Sequence, residues 1–170
     1  MKVREKPLKV LGPFGDQSDI DSIGEVIESG WWGKGPKVQE FEEEFAKLVG
    51  SKHAIAVTSN SHGQDLVMKA LGMKGVDVIN PTMSFVATAQ IPLWNDCTSN
   101  IVDIDPVNLN ITAEQVERWK KPDSEVCIAV NMAGIPAPID EIRKVFGGFI
   151  IEDCAHSCYT EGAGTKGDVA

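Results

Sequence analysis

Cations are scarce in this sequence: 16 lysines and arginines stand against 25 aspartates and glutamates, a formal charge of −9 over 170 residues. Such a surface repels phosphate backbones and anionic lipid, which argues against nucleic-acid or membrane binding. No apolar run approaches the roughly 20 residues that span a bilayer. The opening MKVREKPLKV has charge with no hydrophobic segment behind it, so no secretory signal is expected. Cysteine is sparse as well. Without export, Cys97, Cys127, Cys154 and Cys158 are expected as reduced thiols in a cytoplasmic protein. Internal repeats, low-complexity tracts and obvious linkers are all missing. What remains, 42% hydrophobic and 24% charged residues, is the composition of one globular domain or of part of a larger one.

Helix and strand patterns alternate from residue 19 onward. Asp19 to Ser29 places Ile20, Ile23 and Ile27 on one helical face before a C-capping Gly30. Pro36 suits a first helical turn, and Val38, Phe41, Phe45 and Leu48 recur at steps of three and four until Gly50. The period then shortens. Ala54 to Thr58 reads as a buried strand, followed by a helix to about Leu71. Val76 to Ile79, Asn100 to Ile104, Val126 to Val130 and Phe149 to Ile151 read as four further strands. Helices are expected between them at Phe85 to Leu93, after a capping box at Thr112 to Gln115, and at Asp140 to Phe146. Continuous apolar strands separated by helices indicate a mostly parallel sheet covered on both faces, a three-layer α/β/α chain.

In open parallel sheets ligands gather beyond the carboxyl ends of the strands, so the strand-to-helix turns carry the candidate chemistry. Thr58-Ser-Asn-Ser-His62 offers hydroxyls and a helix N-terminus that suit a phosphate, or else an ordinary Ser/Asn cap. In Asn80-Pro-Thr-Met-Ser-Phe85 the aromatic either stacks on a planar ligand or fills core. Asp153 ends the run Phe149-Ile-Ile-Glu, and a carboxylate so placed must be paired, best by a cation. Cys154, His156 and Cys158 alternate after it, but their spacing fits no standard zinc arrangement. A thiol–histidine metal site is the rival reading of that segment.

These turns, taken in order, closely resemble the DegT/StrS-type sugar aminotransferases. The resemblance rests on Gly30-Trp, Gly35-Pro-Lys-Val, Phe41-Glu-Glu-Glu-Phe-Ala46, Gly50 and His53-Ala. It continues through Thr58-Ser-Asn-Ser, Asn80 to Thr88, Val102-Asp-Ile-Asp105, Gly134-Ile-Pro-Ala-Pro-Ile-Asp140 and Ile151-Glu-Asp-Cys-Ala-His-Ser157, from about Pro7 to the last residue. It implies pyridoxal 5′-phosphate as cofactor and a partial fold type I large domain. Asp153 would pair with the pyridine nitrogen, keeping the ring protonated as an electron sink. His156 would contact the ring hydroxyl, Phe85 would stack over the ring, and Asn60 and Ser61 would match the Gly-Thr pair of the phosphate turn. Here Ser59-Asn-Ser replaces the usual Ser-Gly-Thr, and asparagine tolerates the left-handed backbone better than most residues. Trp31-Trp32 lie where relatives line the substrate entrance, or else pack at a subunit contact.

The resemblance also implies a lysine that holds the cofactor covalently, placed after a Gly-Asp and a Ser-Phe strand. This sequence reaches Gly167-Asp168-Val-Ala170, and Lys166 precedes the Gly-Asp, so it is expected to be a solvent-facing loop residue. Residues 1–170 therefore correspond to the N-terminal part of the cofactor-binding large domain. An incomplete record of a longer protein, a split enzyme completed by a C-terminal chain, and a truncated gene all fit. A sheet cut part-way leaves an apolar edge that invites association. The implied activity is transfer of nitrogen from an amino acid such as glutamate to a keto-sugar, nucleotide-linked, by a homo-oligomeric enzyme. Alternatives are a dehydratase of the same family, in which histidine replaces the lysine, and a non-catalytic binding module.

Overall fold

The computed structural model describes residue 12 and residues 14–170; the charged opening read above lies outside them. Two helices come first. Helix α1, Gln17–Ser29, begins at a capping box in which the Asp16 carboxylate accepts from Ser18 N and Asp19 accepts from Asp16 N. Helix α2, Pro36–Val49, carries its proline in the first turn and stops at Gly50, whose φ of 73° needs a residue without a β-carbon. The isoleucines of α1 do share a face, yet α1 buries none of its residues, and Ile20, Ile23 and Ile27 remain 58–61% exposed.

The rest is a layered α/β unit. Helix α3 (Asn60–Ala70) precedes strand β1 (Asp77–Pro81), α4 (Val86–Trp94) and β2 (Thr98–Val102). Then come α5 (Ala113–Trp119), β3 (Ser124–Val130), a short 3-10 turn (Met132–Gly134), α6 (Ile139–Val145) and β4 (Phe149–Asp153). The strands are parallel in the order β2-β1-β3-β4. Pleating sorts the side chains. Val78, Val126, Ile128 and Ile151 face α3 and α4 with Met68 and Ile91, while Ile79, Cys127, Ala129 and Ile150 face α5 and α6 with Val116 and Ile142. Each fully buried isoleucine contributes roughly 1.5–3 kcal/mol relative to exposure. The three-layer parallel architecture expected from the strand pattern is the one observed.

One expected strand is absent. Ala54 to Val57 pair with no strand among the described residues; Ile55 is 67% exposed, and Ala56 N donates to the Glu42 carboxylate at 2.8 Å instead. A strand is defined by its neighbour, and the hydrogen-bonded order of the four strands does not include this segment. Boundaries move elsewhere. The strand expected at Asn100 to Ile104 runs two residues earlier, and Phe85 caps α4 rather than beginning it. At Thr112 the hydroxyl accepts from Gln115 N at 3.3 Å, which supplies the forward bond of the expected capping box. Beyond β4 the chain returns along its edge: Glu152 N donates to Val169 O and Asp168 N to Ile150 O, both at 2.9 Å. That return covers part of the edge expected to stand open.

Candidate functional site

Strand order places the site. From β1 the chain moves outward to β2, then crosses to β3 on the other side, so the carboxyl ends of β1 and β3 flank a switch point. Beside them β4 ends in Asp153, only 6% exposed. Ordinary strand burial carries this carboxylate inward, because Ile150 and Ile151 before it are held on both faces of the sheet.

No cation among the described residues pairs with Asp153. Three N–H donors face it instead. Asn60 Nδ2 donates to Oδ1 at 2.9 Å, Gln64 Nε2 to Oδ2 at 2.7 Å, and Ala155 N to Oδ1 at 3.0 Å. The partner expected to be a cation is thus, among the described residues, a set of neutral donors. Asn60 and Gln64 lie one turn apart on α3, on one helical face. Gln64 Nε2 also donates to Asn60 Oδ1 at 2.7 Å, closing a ring of three side chains.

The phosphate-turn candidates occupy the start of α3. Ser59 is its N-cap, its hydroxyl accepting from His62 N at 3.2 Å, while the Thr58 hydroxyl contacts His62 Nδ1 at 2.5 Å. Asn60 and Ser61 are the first two helical residues, whose N–H groups have no acceptor within the helix by geometry. The Asn60 side chain, however, is aimed at Asp153. Phe85 caps α4 and is 73% exposed at the same end of the sheet, just beyond β1. Exposed His156 follows β4, and its Nδ1 accepts from Ala133 N at 3.4 Å, which leaves the proton on Nε2. The structure therefore joins Asn60 to Asp153 directly and sets Ser61, Phe85 and His156 on neighbouring turns, with no hydrogen bond from their side chains to that pair among the described residues.

Three residues that the sequence reading passed over support the site. Gln64 is one; its spacing of four from Asn60 was the available signal. Asn131, at the end of β3, donates to Glu152 at 3.1 Å, to Ser157 Oγ at 3.0 Å and to Cys154 Sγ at 3.3 Å. Glu152 is 1% exposed, and its oxygens accept from the backbone of Gly164 at 2.7 Å and Gly167 at 3.2 Å. These contacts fasten the turn after β4. Burial pushes the Cys154 thiol up to about 11, so it is a neutral packing group. Among the described residues no group of three or more His, Cys, Asp or Glu is placed to hold a metal ion. Lys166 sits in the loop with its ammonium paired to Asp140.

A groove of about 660 Å³ opens at the other end of the strands, lined by Lys120, Lys121, Arg143 and Phe146 among others. None of the candidate residues lines it, and its cations are already engaged by Glu117, Asp77 and Asp168. Among the described residues no helix is long and apolar enough to cross a membrane.

Comparison with known proteins is consistent with this geometry. The Bacillus subtilis (strain 168) spore coat polysaccharide biosynthesis protein SpsC is 38% identical over 152 residues, 87% of this chain and 39% of the relative. The structure of 3-amino-5-hydroxybenzoic acid synthase superposes with a TM-score of 0.83 at 30% identity, over 86% of this chain and 40% of that one. An E. coli GDP-4-keto-6-deoxy-D-mannose-3-dehydratase with bound hydrated PLP gives 0.83 at 29% identity, over 92% and 44%. The chain thus spans about two-fifths of the length of the relatives it matches. Its layered parallel sheet is that of the fold type I pyridoxal-phosphate enzymes. With residues 13–170 matching the family as a whole, the chain belongs to the DegT/DnrJ/EryC1/StrS aminotransferase family.

Proposed function

We propose that this chain forms the N-terminal, cofactor-binding part of the large domain of a pyridoxal-phosphate aminotransferase acting on a keto-sugar. The acceptor is a nucleotide-linked sugar, and an amino acid such as glutamate is the donor. The observation that carries the reading is the buried Asp153 carboxylate, gripped by neutral donors and unmatched by any described cation. A protonated pyridine nitrogen is the charge complement such a carboxylate lacks. The other residues fit the same group. Exposed Phe85 offers a ring face, the α3 N-terminus offers N–H groups and the Ser61 hydroxyl to a phosphate, and His156 Nε2–H offers a donor to a phenolic oxygen.

When bound, pyridoxal phosphate supplies an electron-withdrawing ring that stabilises negative charge on the carbon bearing the amine. The chain's own part is to bind and to hold protons. Asp153 keeps a proton on the ring nitrogen, Phe85 fixes the ring plane, and Ser61 with the helix terminus orients the phosphate. In keeping with the family resemblance, the reading includes a cytoplasmic homodimer and C-terminal residues, in the same or a complementing chain, that bring the covalent lysine. SpsC is named for spore coat polysaccharide biosynthesis, which supports an amino-sugar product. A sugar dehydratase is the alternative, favoured by the equal TM-score of the E. coli dehydratase.

The test is turnover of the complete enzyme with glutamate and a keto-sugar nucleotide. Nitrogen appearing on the sugar supports amination; loss of water from the sugar supports the alternative. Asp153→Asn is expected to lower kcat by roughly a hundredfold or more, the scale of losing a preorganised electrostatic partner. Unchanged turnover in that variant overturns the assignment.

A further inference from the structure

The geometry points to Gln64 as a positioning residue that, with Asn60, sets the orientation of the Asp153 carboxylate and holds it solely as an acceptor. The inference rests on the reading of Asp153 as the partner of the cofactor's ring nitrogen. Gln64 is 5% exposed, and its Nε2 spends both hydrogens, one on Asp153 Oδ2 and one on Asn60 Oδ1, each at 2.7 Å. Asn60 Nδ2 then reaches Asp153 Oδ1 at 2.9 Å. Both carboxylate oxygens are thereby tied to one helix face, and the carboxylate plane cannot turn without breaking a charge-assisted bond.

A second observation fixes the direction of the amide. Gln64 Oε1 is buried with no hydrogen-bond partner. An orphaned acceptor is unfavourable, and a flip of the amide would take Oε1 out of that position. The flip is blocked because it would aim Oε1 at the Asp153 oxygen and the Asn60 oxygen, two acceptors. The strain of the orphan is therefore the direct consequence of holding a donor against Asp153. A glutamine present only to fill space has no reason to be oriented in this way, and an apolar side chain would fill the same space without the orphan.

The test uses the full chain with pyridoxal 5′-phosphate as probe, reading its dissociation constant and its absorption spectrum, which reports protonation of the ring nitrogen. Gln64→Leu removes the donor, and Gln64→Glu keeps the shape but turns the donor into a second carboxyl group beside Asp153. Binding is expected to weaken about tenfold in Gln64→Leu and further in Gln64→Glu, with the spectrum of each moving toward the unprotonated ring. In the cofactor-free protein, Gln64→Leu and Asp153→Asn are expected to be non-additive in denaturant unfolding. If Gln64→Glu, the closer isostere, binds and absorbs as the wild type does while Asp153→Asn loses both, the positioning role is overturned and the Asp153 assignment stands. Should Asp153→Asn itself leave binding and spectrum unchanged, the underlying reading fails and this inference with it. Exposed Asn60 provides the same contrast if the Gln64 variants do not fold: Asn60→Asp must shift the spectrum more than Asn60→Ala, and the reverse order contradicts the proposal.

Discussion

Asp77 and Asp153 lie at opposite ends of the same sheet, and their surroundings treat them differently. At the start of β1, burial works to push the Asp77 carboxyl up, but Lys121 at 2.5 Å, Ser124 at 2.6 Å and Asn100 at 2.9 Å together outweigh it and hold the group below its ordinary value of 3.8. A depressed carboxyl stabilises the fold above its unfolded pKa, and that contribution is lost as pH falls through the folded value. The acid limb of the stability curve is therefore expected to be shallower in Asp77→Asn, measured by urea unfolding below about pH 4. Lys121→Met should destabilise by about 1–3 kcal/mol. That is less than the loss of a fully buried pair, because Ser124 and Asn100 remain and the ammonium is half exposed. Asp153 has the same kind of burial with no such cation. The difference between a carboxylate held by a lysine and one held by neutral donors alone was not legible in sequence, since both residues adjoin apolar strands. The burial of Asp153 was legible from its place after Phe149-Ile-Ile-Glu; its bond to Gln64 was not, because the two residues are 89 positions apart.

Element boundaries followed the apolar runs where both faces of a strand are covered. Strands β1, β3 and β4 lie within about two residues of the apolar stretches that announce them, because cover on both faces of the sheet buries most of their positions. Ala54 to Thr58 has the same composition and forms no strand, which shows that β-propensity acts only through a neighbour. The junction between β3 and β4 has little tolerance. A β-carbon at Gly148 would stand 2.4 Å from Glu125 O and 2.6 Å from the Phe146 ring. Gly148→Ala is expected to destabilise by about 1–3 kcal/mol through that overlap, read as a lower midpoint of thermal unfolding. Downstream, the loop from Thr160 to Gly167 is tied to β4 by one side chain. Gly164 N and Gly167 N donate to different oxygens of Glu152, so Glu152→Gln sets a donor against one of them and removes the charge from both bonds. Amide exchange at those glycines should accelerate on the order of tenfold or more, the scale of one charged hydrogen bond. Exchange in β1, remote from the loop, should not change.

At the scale of the molecule, the layered sheet is a well-filled core while much of the amino-terminal helical region stays bare. Ile23 and Ile27 with Trp32 form an apolar groove, and Phe41 and Leu48 on α2 are 57% and 59% exposed. Exposed apolar area of this kind drives association, and a homodimer with the remainder of the large domain would cover it under the proposed function. The isolated chain is accordingly expected to scatter light increasingly with concentration, and Ile23→Lys to reduce that association without altering the circular dichroism of the sheet. The periodicity of α1 revealed its apolar face; what covers that face lies outside the pattern of a single helix. The central claim is that Asp153 holds a proton on the cofactor's ring nitrogen. Nitrogen NMR of the protein loaded with isotopically labelled pyridoxal phosphate tests it most directly. The account predicts a protonated ring nitrogen in the wild type and an unprotonated one in Asp153→Asn; a nitrogen unprotonated in the wild type, or equally protonated in both, would contradict it.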